Sequence, residues 1–173
     1  MAFQKAINIT QAPAVEGDFA SANPRHSVLS NEGGFKAGTG GVLIARFCWA
    51  DVATNTLLLN SGTGLPTGFL HRNMNGLNFS YFTTPDAASF IIPAGFPVGE
   101  LFNGGDFWVR HIGAGAVSIG MKAFTQNVAG ANAGAIQFAA TGATIANYVE
   151  TKWFAGTAGV AQDLIKMTDK PLG

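Results

Sequence analysis

The chain has 173 residues, 47% of them apolar and only 12% charged, with Lys plus Arg and Asp plus Glu both totalling 10, so its formal net charge is zero. That length holds one core rather than several, and a charged fraction about half the usual quarter leaves little self-repulsion to keep copies apart. Nucleic acid is excluded as a partner, because no Lys/Arg cluster is present to neutralise phosphates.

Residues 1–41 have a short apolar start and then Pro13, Gly17, Pro24, Gly33, Gly34, Gly38, Gly40 and Gly41. Punctuation this dense argues for an extended N-terminal arm and entry loop ahead of a β-domain at 42–173. Such an arm pads its own sheet or reaches a neighbouring subunit. Little core is expected from it, so removal of Met1 to Ser21 is expected to leave the β-domain folded.

Val42 to Asp51 reads as one strand, with Val42, Ile44, Arg46 and Cys48 on one side and Leu43, Ala45, Phe47 and Trp49 on the other. Apolar residues on both faces mean burial on both, between sheets or under a partner. Arg46 then needs a carboxylate, Asp18 or Asp51. Asn60-Ser61-Gly62 and Gly64-Leu65-Pro66 mark a loop before a strand at Phe69 to Arg72, and Leu77 to Phe82 alternates as a further strand.

Ile91 to Phe124 carries its turns in the sequence, at Asn103-Gly104-Gly105 and Gly113-Ala114-Gly115, and reads as a three-stranded meander. A three-residue first loop would set Leu101 opposite Phe107 and Gly99 opposite Val109 on an apolar face. The other face would carry Glu100, Phe102, Asp106, Trp108, Arg110, Ser118, Lys122 and Phe124. Charges of both signs among large aromatics suit a surface that meets another protein.

The Gly/Ala-rich stretch at 130–159 reads as an insertion of short strands on the same sheet, and Asp163 to Lys170 as a closing strand with Leu164, Lys166 and Thr168 alternating against Ile165 and Met167. Short strands without a helical period predict an all-β fold: an antiparallel β-sandwich or barrel-like domain with the extended N-terminal arm.

Chemistry is sparse. His26, His71 and His111 lie far apart without carboxylate or cysteine at ligand spacing, so no metal site is supported, and each is expected to be a surface or interface hydrogen-bonding residue. Cys48 is alone, which excludes a disulfide frame. No serine sits in a nucleophile elbow, and the Gly-rich loops lack dinucleotide or P-loop spacing. Glu16 and Asp18 fit capping or a subunit ion pair better than an acid/base pair. No cofactor and no enzymatic activity are expected. Nor is a membrane partner: no segment approaches the roughly 20 apolar residues of a span, and no signal-length apolar run follows Met1, which implies synthesis in the cytoplasm.

An ordered set of segments resembles the structural cement proteins that decorate tailed-phage heads: Glu16 to Arg25, Ala45 to Asp51, Pro66 to Arg72, Ile92 to Val98 and Gly104 to Val109, with a weaker echo at Val149 to Trp153. The resemblance covers about Gln11 to Phe124. Cys48 departs from it, standing where a small residue is more usual, and the Gly130 to Ala146 region has no counterpart. It implies a β-rich protein without cofactor that binds the outer surface of an icosahedral phage capsid in the virion and clamps neighbouring major capsid protein subunits. The chain would itself be a homo-oligomer, a trimer first and a dimer otherwise. With the aromatic face, the resemblance nominates Asp18, Phe19, Arg25, Arg46, Trp49, Phe102, Trp108, Arg110 and Phe124 as capsid or subunit interface residues. The competing reading is a carbohydrate-binding, lectin-like β-sandwich on the virion surface, with Trp49, Trp108 and Trp153 stacking on sugars.

Overall fold

A computed structural model describes residues 14–51, 53–72 and 91–170. Among them there is no helix. The strands are β1 (His26–Ser27), β2 (Lys36–Ala37), β3 (Val42–Leu43), β4 (Arg46–Ala50), β5 (Leu57–Leu59), β6 (Gly68–Leu70), β7 (Ile91–Ile92), β8 (Leu101–Gly104), β9 (Asp106–Arg110), β10 (Lys122–Gln126), β11 (Ile136–Ala139), β12 (Tyr148–Ala155) and β13 (Leu164–Thr168). The strand expected at Leu77 to Phe82 lies outside the described residues.

Six strands form one sheet in the order β1-β8-β6-β4-β5-β2, five form another in the order β11-β10-β12-β13-β9, and β3 and β7 make a separate pair. All pairings are antiparallel except that of β2 with β5. Phe47, Trp49, Phe69 and Phe102 of the first sheet meet Phe107, Val109, Ala123, Trp153, Ile165 and Met167 of the second in one core. Cys48, Leu58, Leu70 and Leu101 project from the opposite side of the first sheet into a second core closed by Phe35, Val42, Ile44, Ile92 and Val98. The fold is therefore an antiparallel sandwich, not a closed barrel, and its six-stranded sheet is covered on both sides by the same chain. That explains the two apolar faces of the Val42 to Asp51 segment without a partner.

The segment is not one strand. Ala45 takes a left-handed φ of 58°, which breaks it: Val42 and Leu43 pair with β7, whereas Arg46 to Cys48 pair with β6. Buried Asn60 bridges the break. Its Oδ1 accepts from the Leu43 N–H (2.6 Å), and its Nδ2 donates to the carbonyls of Leu43 (3.0 Å) and Phe47 (3.2 Å).

The meander is likewise corrected. β8 and β9 follow one another across Gly105 yet belong to different sheets; β9 pairs with β13, and β10 with β11 and β12. Gly105 is a corner, with φ 127°, and a Cβ on Gly104 would sit 2.7 Å from the Asp169 carboxylate and 2.8 Å from the His26 ring. Both glycines suit a hairpin loop equally well in sequence. The 130–159 region does add strands to the same sheet, but β12 has eight residues and is paired by β10 on one side and β13 on the other. The closing strand forms where it is expected, at β13.

Candidate functional site

The five-stranded sheet turns one face to the core and one outward, and cross-strand register fixes the outward set. Lys122 of β10 pairs with Phe154 of β12, Phe154 with Thr168 of β13, and Thr168 with Asp106 of β9, making one row across four strands. Lys166 pairs with Trp108 in the next row, and Leu164 with Arg110 beyond it. Directly paired residues project to the same side. On this face the Lys122 ammonium lies 3.8 Å from the Phe154 ring centroid and the Lys166 ammonium 5.1 Å from that of Trp108. Trp108 and Phe154 are half-buried, and Arg110 is exposed.

Residues 14–20 border this face, running beside β9. The Gly17 N–H donates to the Trp108 carbonyl (2.7 Å), the Trp108 N–H to the Asp18 carbonyl (2.9 Å), and the Ala20 N–H to the Asp106 carbonyl (2.9 Å). Both carboxylates of this segment are tied within the chain: Asp18 to Arg72 (3.0 Å) and Glu16 to Arg110 (3.2 Å). Phe19 inserts toward the core and stacks on His71 at 4.5 Å, and the exposed Arg25 guanidinium covers its other side at 3.8 Å. Burial pushes the Asp106 carboxyl up, but hydrogen bonds from Ser21, Thr168 and Asn23 outweigh it and leave the group below its ordinary value.

Of the nominated residues, Asp18, Phe19, Arg25, Trp108 and Arg110 gather along β9 at or near the surface. Trp49, Phe102 and Phe124 are 6%, 4% and 2% exposed and offer no aromatic face to a partner. Trp49 is fixed by its indole N–H to the Gly64 carbonyl (3.1 Å), with Gly62 against its ring. Phe102 faces the core because the corner at Gly105 turns its strand into the other sheet. Phe124 is on the outward side of β10 but closed in between its cross-strand neighbours Gln137 and Glu150. Arg46 makes no ion pair among the described residues: Asp18 holds Arg72, and Asp51 is engaged in the β4–β5 turn with Thr54, Thr56 and Leu57. Burial lowers its pKa, and the field of Glu16 partly restores it. With Trp49 and Trp153 buried, Trp108 alone of the three tryptophans could stack on a sugar.

The histidines also depart from expectation. His26 is exposed, but His71 and His111 are buried. Among the described residues no group of three or more His, Cys, Asp or Glu is placed to hold a metal ion. A cleft lined by Ser21, Asn23, Asp106, Lys166 and Lys170 holds about 230 Å³, below the roughly 300–1,000 Å³ of small-molecule sites.

Residues 3–169 match the family of the XM1 gp53 minor capsid protein. The chain belongs to that family. This is a family of phage capsid structural proteins, as the resemblance to head decoration proteins led one to expect. Among solved structures, a chain of the capsid of Myoviridae phage XM1 has the same fold, with a TM-score of 0.65 and 20% identity over 98% of each chain. A search of curated proteins finds no match.

For this capsid protein, sequence reading placed Trp108, Arg110 and Lys122 on one face and Lys166 and Thr168 on one side of the last strand. It missed that the two sets adjoin, and it missed Phe154, whose pairing with Lys122 joins residues far apart in the chain.

Proposed function

We propose that this capsid protein is a cement protein: it sits on the outer surface of the icosahedral shell, clamps neighbouring major capsid protein subunits and stabilises the assembled form by binding it in preference to free subunits. The observation that carries the reading is the open face of the five-stranded sheet, where Trp108 and Phe154 stand half-exposed between Lys122, Lys166 and Arg110 on a protein of which only 12% is charged. Interfaces concentrate their energy in such aromatic and cationic anchors. Trp108 and Arg110 form the centre of the contact, with Asp18, Phe19 and Arg25 along its border, while Arg46, Trp49, Phe102 and Phe124 support it from within. Self-association into a trimer multiplies the contacts and adds avidity.

Undecorated shells mixed with the protein should sediment with it and melt at a higher temperature. Shells that melt unchanged, with the protein left in the supernatant, would overturn the reading. Light scattering at micromolar concentration should give a trimer; a monomer alone would remove the avidity argument.

A further inference from the structure

We propose that the outward face of the five-stranded sheet receives a carboxylate-bearing surface of the capsid shell, with Lys122 and Lys166 as its two charge anchors. The inference rests on the capsid-binding reading above and adds the chemistry of the partner. Each ammonium is held over the ring of its direct cross-strand neighbour, Phe154 or Trp108. Neither lysine makes an ion pair among the described residues, where the ion pairs are Arg72 with Asp18, Arg110 with Glu16 and Lys170 with Asp169. The Lys122 ammonium donates to the Lys152 carbonyl at 3.4 Å, a long contact that leaves its other protons free.

Among the described residues, the acids around this face have partners of their own. Glu16 holds Arg110, Asp106 accepts from Ser21 and Asn23, and Glu150 accepts from the Gly142 N–H. No carboxylate among the described residues pairs with either lysine, which leaves both cations open to a carboxylate of another molecule. Stacking on the rings pre-orders the lysine chains and removes much of the rotamer entropy that an ion pair ordinarily costs. A carboxylate arriving there meets a cation beside aromatic surface that excludes water, the setting in which an interfacial charge pair gains most.

Size is consistent with an anchor rather than a whole interface. The row from Lys122 to Asp106 spans four strands, about 14 Å at the usual strand spacing, and Asp106 to Arg110 along β9 adds about 13 Å. Such a patch is well short of the roughly 800 Å² that each partner contributes to a standard interface, so it forms the centre of a larger contact.

The test compares the paired variants Lys122→Gln with Lys166→Gln, and Lys122→Glu with Lys166→Glu, in co-sedimentation with undecorated shells at low and high salt. The melting temperature of each variant is read alongside. Binding should weaken about tenfold for the neutral pair and about a hundredfold for the reversed pair, with the neutral pair melting like the parent and losing part of the parent's salt dependence. If the reversed pair fails to fold, the neutral pair decides. If the neutral pair binds as tightly and as salt-dependently as the parent, while Trp108→Ala releases the protein, the carboxylate partner is refuted and the capsid reading stands. If the parent itself does not bind shells, the capsid reading falls first.

Discussion

His111 is held in a single neutral tautomer by its two neighbours. The Phe138 N–H donates to its Nδ1 (3.2 Å), so that nitrogen carries no proton, and Nε2–H donates to the Gly115 carbonyl (3.1 Å). Burial lowers its pKa, with Gly115 and Asp163 opposing; burial lowers that of His71 too, against Glu100. A histidine with a depressed folded pKa leaves stability intact above its unfolded value near 6.5, and stability is lost as pH falls from there to the folded value. Melting temperature should therefore drop as pH falls below about 6.5. For His111→Phe it should be lower at neutral pH and flatter with acidification; an unchanged slope in that variant would assign the effect elsewhere. Cys48 is fully buried and its thiol pKa is pushed far up by burial, so a thiol reagent should label it only at the rate at which the protein opens. The tryptophans separate surface from core. Trp153→Ala should cost about 3–5 kcal/mol in denaturant unfolding, whereas Trp108→Ala, at a half-buried outward position, should leave the protein folded and reduce shell binding by about 2 kcal/mol or more.

At the scale of elements, the segment at 14–20 behaves as a further strand on β9. It carries hydrogen bonds to Trp108 and Asp106 as well as one from the Arg72 N–H to the Gly17 carbonyl (3.0 Å), and it inserts Phe19 beside the core. The expectation that this stretch contributes little core is thus corrected. Deleting Met1 to Ser21 should lower the melting temperature markedly, and a truncated protein that melts like the parent would contradict that. Gly17 is the sharper probe. Its φ is +89°, and a Cβ there would stand 2.9 Å from the Cβ atoms of both Ala45 and Arg72, so Gly17→Ala should destabilise by about 1–3 kcal/mol through strain and overpacking. In the β4–β5 turn, Asp51 gathers the N–H groups of Thr54, Thr56 and Leu57 and the Thr54 hydroxyl. These bonds, the Thr54 hydroxyl first, hold its pKa well below the carboxylate range, so their support is lost only in strong acid, as pH falls below about 4.

At the scale of the whole molecule, the described residues form two cores on either side of one sheet. The sequence by itself determined the all-β class, the strands at β4, β6, β9 and β13, and the scarcity of charge that points to protein partners. Those features are local: period-two alternation, Gly and Pro punctuation, and composition act within a few residues. Only the tertiary structure decided which sheet each strand joins and which aromatics remain outside. Alternation sorts a strand into two faces but does not say what covers each, and in a sheet buried on both sides no polar face remains to mark the outside. Phe102 and Trp108 therefore look alike in sequence, yet the corner at Gly105 sends one into the core and leaves the other at the surface. Lys166 reaches Trp108, and Lys122 reaches Phe154, through cross-strand pairings that join distant parts of the chain, and such neighbours are chosen by packing of the whole.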